Sequence, residues 1–213
     1  MKKVVLFGDS NTYGRIPGTE ERRFPYPVRW TTLLQEMLGD SWKVCDEGFP
    51  GRSILPQESD PVELNGYDSV IASIERSLPF DIFLIILGTN DFKTRYKASP
   101  EEVLEGMKCL VKRVKENLEE RGLEAVIAIA APPVFLPIVP DKAALFENGE
   151  EKMRAFNAML QAYAGEEGIP FLDTSSITVD PRDGIHLSEE TQPVLARLVH
   201  GFIGTICKGV KTN

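Results

Sequence analysis

A single α/β domain built around a parallel sheet is the fold this sequence predicts. Short apolar runs bounded by turn residues alternate with longer segments of helical period, as βα units require. The run Ile82-Phe83-Leu84-Ile85-Ile86-Leu87 is continuously apolar, as a strand covered on both faces must be. A chain of 213 residues is long enough to bury one sizeable core without disulfides or metals, so one domain over 1–213 is expected.

Taken in order, Val4–Phe7 is the first expected strand, stopped by Gly8, and Val28–Leu38 the first long helix. Trp42–Cys45 follows as strand two, then a helix over Val70–Ser77 and the central strand Asp81–Leu87, which ends at Gly88. Pro100–Arg121 is the clearest helix. Ser99 stands as N-cap, Pro100 at the first helical position and Glu102 three residues after the cap, while Val103, Met107, Leu110, Val111, Val114 and Leu118 mark one face. Gly122 stops it.

Val126–Ala130 gives the fourth strand. After it comes an apolar segment, Ala131 to Asn148, in which Pro132, Pro133, Pro137 and Pro140 forbid a regular helix or central strand. So apolar a loop must be covered by substrate, by another subunit or by its own domain. A helix over Glu150–Ala164, a short strand Ile169–Leu172 and a last helix Ser188–Cys207 complete the order. Ser188 reads as the cap of that helix, with Glu189 and Glu190 in its first turn.

Composition narrows the partners. Asp and Glu number 32 against 24 Lys and Arg, and the net charge of -8 argues against nucleic acid or an anionic membrane and suits a neutral small molecule. Cys45, Cys109 and Cys207 are odd in number and widely spaced, so they read as reduced core thiols rather than a disulfide framework or a thiolate metal site. Lys2-Lys3 runs straight into Val4, too short an apolar region for a signal peptide, and no stretch is long enough to span a bilayer. A cytoplasmic protein is expected.

The chemistry lies in blocks at the ends of strands. Gly8-Asp9-Ser10 supplies a hydroxyl, Asp183-Gly184-Ile185-His186 a carboxylate and an imidazole, and Gly88-Thr89-Asn90-Asp91 an amide donor. In an open parallel sheet these positions gather at the carboxyl edge, where ligands bind. Ser10 as nucleophile, His186 as base and Asp183 as its orienter make an acyl-transfer site, with Asn90 facing the developing oxyanion. Each block has a plainer use: Ser10 as a helix cap, Asn90 as a turn residue, Asp91 as a cap, and Asp183 with His186 as an exposed turn. In Glu47-Gly48-Phe49-Pro50-Gly51-Arg52-Ser53 the glycines allow positive φ, or Gly51 lends its N–H to the oxyanion, and the sequence leaves both open. Of the two histidines, His200 falls late in the last helix and reads as a surface or packing residue.

These blocks, in this order, resemble the SGNH hydrolases, also called the GDSL esterase/lipase family, from about residue 4 to about residue 205. Phe7-Gly8-Asp9-Ser10, Val28-Arg29-Trp30, Glu47-Gly48, Leu87-Gly88-Thr89-Asn90-Asp91 and Asp183-Gly184-Ile185-His186 are most similar to the bacterial aryl esterase/acyltransferase branch. The resemblance implies a flavodoxin-like three-layer α/β/α sandwich with a five-stranded parallel sheet. It implies the triad Ser10, His186 and Asp183, and an oxyanion hole from the Ser10 and Gly51 N–H groups and the Asn90 amide. It also implies a small acyl ester as substrate, no cofactor and no metal, and a homo-oligomer in which the proline-rich segment walls the entrance. Asn11 stands where the name-giving block has leucine, so the acyl or alcohol pocket is expected to include Asn11, with Phe135 and Ile185. There is no Gly-x-Ser-x-Gly around Ser10, so the strained elbow of α/β-hydrolases is not expected.

Two other classes fit parts of the sequence. Asp9, Asp46, Asp91 and Asp173 fall near strand ends and could hold magnesium for phosphoryl transfer, but that scheme leaves His186 idle. Ser10-Asn11-Thr12-Tyr13-Gly14 could cradle the phosphate of a flavin or nucleotide, but that gives Asn90, Asp183 and His186 no task. Within the hydrolase reading, thioesterase and carbohydrate deacetylase chemistry use the same groups.

Overall fold

A computed structural model describes residues 1–19, 21–55, 60–136 and 144–209. Parallel strands β1 (Lys2–Gly8), β2 (Trp42–Gly48), β3 (Ile82–Ile86), β4 (Val126–Ala130) and β5 (Phe171–Leu172) form one five-stranded sheet in the order β2-β1-β3-β4-β5. Among the described residues the α-helices are α1 (Ser10–Tyr13), α2 (Trp30–Leu38), α3 (Gly66–Ser77), α4 (Pro100–Glu120), α5 (Gly149–Glu166) and α6 (Gln192–Gly209).

Alternation along β3 shows why the central strand is wholly apolar. Phe83 and Ile85 enter one core with residues of α3, α4 and α5, whereas Ile82, Leu84 and Ile86 enter the other with residues of α2 and α6. Both faces are covered, which gives the expected three-layer α/β/α sandwich.

Element boundaries moved where polar residues found partners. β2 runs on through Asp46 and Glu47 to Gly48. As an edge strand it can present carboxylates outward, and Asp46 pairs with Arg23 at 2.7 Å while Glu47 pairs with Arg76 at 2.7 Å. α3 starts earlier than its apolar period, because the Asn65 side chain accepts the Asp68 N–H. α4 has the full capping box between Ser99 and Glu102. The last helix departs most: it begins at Gln192, and Ser188 to Thr191 form a turn in which Ser188 Oγ accepts the Thr191 N–H. Pro193 explains this, since a helix from Ser188 would place that ring in its interior.

The thiols also depart from expectation. All are free, but Cys109 is exposed and Cys45 and Cys207 are half-buried, so none is a fully buried core thiol. No helix among the described residues is long and apolar enough to cross a membrane.

Candidate active site

β1 ends at Gly8, and the chain turns at once into the short helix α1, whose first residue is Ser10. Asp9 caps it, accepting the Asn11 N–H at 2.8 Å. Burial raises the Asp9 carboxyl above its usual range, against the pull of that N–H and of Thr89. At the first helical position the Ser10 N–H has no intrahelical acceptor and is left for another oxygen. α1 lies directly on the end of β2: a Cβ on Gly48 would stand 2.3 Å from the Tyr13 nitrogen. Gly48 is therefore needed for close approach rather than for positive φ, whereas Gly51 does take φ +87°.

His186 arrives from the β5 side of the sheet, on the loop between β5 and α6. His186 Nε2 is 3.0 Å from Ser10 Oγ, and His186 Nδ1 is 2.8 Å from Asp183 Oδ2. Asp183 Oδ2 also accepts the Gly18 N–H at 2.9 Å, and Oδ1 accepts the Ile185 and His186 N–H groups, each at 3.0 Å. Burial alone would push this carboxyl up. The His186 bond and charge, with those backbone donors, outweigh it and hold Asp183 well below the usual carboxylate range. The residue carries its charge throughout the neutral range.

Gly51, Ser10 and Asn90 follow β2, β1 and β3, which are neighbours in the sheet. Asn90 Nδ2 donates to the Arg52 carbonyl at 2.9 Å, which spends one of its hydrogens and fixes the direction of the other. Among the described residues the Gly51 N–H makes no hydrogen bond. Its loop is clamped from below by Asp91, whose carboxylate accepts the Ile54 and Leu55 N–H groups at 2.8–2.9 Å. Burial pushes Asp91 up to about 7 in spite of those bonds. Arg52 is buried too. Its guanidinium donates to the Gly8 carbonyl at 3.0 Å, and to that of Glu47, and stacks 4.2 Å over the Phe7 ring, so one side chain ties the ends of β1 and β2 together. Burial lowers it to about 10, which leaves it charged at neutral pH.

The GDSL-like lipase/acylhydrolase family matches residues 6–192. The chain belongs to that family. A crystal structure of Est24, a carbohydrate acetylesterase from Sinorhizobium meliloti, is 30% identical, covers 97% of this chain and 100% of its own, and superposes with a TM-score of 0.90. The M. smegmatis aryl esterase is 31% identical over 96% of this chain and 99% of its own, with a TM-score of 0.89. The lipase/acylhydrolase from Enterococcus faecalis, at 20% identity, 96% coverage of both chains and a TM-score of 0.68, shares the fold. No curated protein matches. This GDSL-like chain is a carboxylic ester hydrolase.

The surroundings of the other singled-out residues of this GDSL-like hydrolase are as follows. Asn11 is buried to the same degree as Ser10 and His186, and its carboxamide is taken up by bonds to the histidine loop. Phe135 is 1% exposed and packs on Phe146, 4.9 Å between ring centres, and Ile185 lies in the same core. Phe135 and Phe146 of the proline-rich segment are thus covered by their own domain, against the start of α5, whereas Leu145 is exposed. Ile138 and Val139 lie outside the described residues. His200 is exposed on α6 beside Lys2 and Trp42, at the starts of β1 and β2, as expected of a surface residue. The aspartates of the magnesium scheme are dispersed among separate protein partners, and the described residues contain no group of His, Cys, Asp and Glu able to hold a metal ion. Arg52, Gly18 and the structural task of Asp91 were not assigned from sequence. Arg52 sat in the glycine-bearing loop in plain view, but nothing in its neighbours says which carbonyls it reaches.

Proposed function

We propose that Ser10 is the nucleophile of an acyl-enzyme mechanism, His186 its general base and Asp183 the carboxylate that orients and stabilises the imidazole. The observation that carries this reading is the continuous chain of hydrogen bonds from Ser10 Oγ through His186 to Asp183, at 3.0 and 2.8 Å. Ser10 Oγ attacks the ester carbonyl and its proton passes to His186 Nε2. The oxyanion accepts from the Ser10 N–H, the Gly51 N–H and the Asn90 amide. Collapse expels the alcohol, which takes the proton from His186, and water then attacks the acyl-serine by the same route.

Small, short-acyl esters are the proposed substrates, acetyl esters with aryl or sugar alcohol portions among them. Relatives of both kinds support this, a carbohydrate acetylesterase and an aryl esterase. Transfer to a second alcohol needs only that alcohol in place of water on the acyl-serine. A homo-oligomer with the proline-rich segment at the entrance belongs to the same proposal, as does a reducing, cytoplasmic compartment suited to three free cysteines. The deciding experiment is a panel of acyl lengths, leaving groups, thioesters and acetylated sugars, run on wild-type and Ser10→Ala protein with and without a chelator. Turnover should peak at short acyl chains, ignore the chelator and vanish in Ser10→Ala. Substantial turnover by the folded variant sinks the nucleophile assignment. Light scattering coupled to size exclusion reads the assembly: a monomer at micromolar concentration, unchanged by Ile138→Asp, removes the oligomer.

A further inference from the structure

We propose that Asn11 is a positioning residue for His186, a role that rests on the reading of His186 as general base. Asn11 is buried beside Ser10 in α1. Its Nδ2 donates to the Ile185 carbonyl at 3.3 Å and its Oδ1 accepts the Leu187 N–H at 3.0 Å. Those are the residues immediately before and after His186. A carboxamide holds donor and acceptor in one plane, so it engages the loop as a neighbouring strand would.

The platform beneath this clamp is itself fixed. The Asn11 N–H is held by Asp9, and its carbonyl accepts Trp30 Nε1–H at 3.0 Å. The loop side is anchored as well: the His186 N–H goes to Asp183, and its carbonyl accepts the Asp180 N–H at 2.7 Å. Nucleophile and base come from segments 176 positions apart, yet one peptide step and one carboxamide relate them. Asp183 moves with the base because it shares the same loop. Asn11 instead sets the loop against the serine, and it is the Ser10–His186 distance that it governs. Leucine has the same branched shape but is bulkier and carries neither donor nor acceptor, and would leave two buried backbone groups unpaired.

The test compares wild type with Asn11→Leu and Asn11→Ala, the second removing the same bonds without added bulk. Both are assayed well below their melting midpoints. The expected result is a fall in kcat of roughly ten- to a hundred-fold with KM little changed, since a small misplacement of base from nucleophile is costly in rate. The low-field proton of the Asp183–His186 bond should persist in NMR spectra, because that pair travels together. Wild-type kcat in either folded variant, with only a lower melting midpoint, overturns the positioning role and leaves the triad reading standing. In the wild-type protein the Leu187 amide must be protected from hydrogen exchange; an unprotected amide overturns the clamp without any variant. Ser10→Ala and His186→Ala run alongside, and retained turnover in either overturns the triad reading itself.

Discussion

The Asn90 side chain donates to the backbone carbonyl of Arg52 at 2.9 Å, so the loop after β3 is fastened to the loop after β2 across the strand that carries Ser10. The amide is therefore aimed before any substrate arrives. A donor held in this way discriminates charge that develops in the transition state from the neutral carbonyl of the ground state.

Asn90→Ala is expected to lower kcat by about 10²–10³ with a much smaller change in KM. Steady-state kinetics on a short-chain ester provide the check. An unchanged kcat with weaker binding makes Asn90 a substrate-holding group instead.

Asp183→Asn keeps the shape of the side chain but cannot accept on both of its outer atoms. One must become an NH₂ facing either the Gly18 and imidazole donors or the Ile185 and His186 N–H groups. The expected fall in kcat is about 10⁴-fold, through loss of the correct tautomer and of the charge opposite imidazolium. Circular dichroism separates this from unfolding. A kcat within tenfold of wild type rejects the assignment.

Gly48→Ala tests the seat of α1, the helix that carries Ser10. The added methyl would meet the backbone of Tyr13 at 2.3 Å, and backbone cannot swing aside as a long side chain can. A loss of about 1–3 kcal/mol is expected in denaturant unfolding, with a lowered kcat as Ser10 shifts. Unchanged stability and rate would show that α1 has room to move.

Asp91 links the oxyanion loop to pH. Its folded pKa, raised by burial to about 7, exceeds the unfolded value of about 4, so its contribution to stability is fully present below pH ~4 and is lost as pH rises through about 7. Melting midpoints of wild type and Asp91→Asn, taken from pH 5 to 8, should show the wild type losing ground to the variant as pH increases. Parallel curves contradict the raised value.

Much of this was legible because catalytic groups of a parallel sheet sit where apolar runs stop. Gly8 and Gly88 end their runs just before Ser10 and Asn90, and the segment after β5 holds one of only two histidines. What escaped depends on contacts between distant segments. Asn11 reads as a substitution beside the serine, and only folding brings it to residues 174 and 176 positions away. Phe135 reads as a pocket or interface residue of a proline-rich loop until Phe146 and Gly149 are seen against it. The start of α6 was misread for a local reason: Ser188 has the chemistry of a cap, but Pro193 decides where a helix can begin.

The Asp183 carboxylate meets the Gly18, Ile185 and His186 backbone N–H groups and the imidazole N–H while the enzyme is at rest. In the proposed mechanism the serine proton reaches His186, and the new positive charge then appears beside an anion whose surrounding dipoles already point the right way. Water in their place would have to turn. The reorganisation that dominates proton transfer in solution has been done here by folding, and on the proposed mechanism the same arrangement would serve both the acylation and the deacylation half of the cycle.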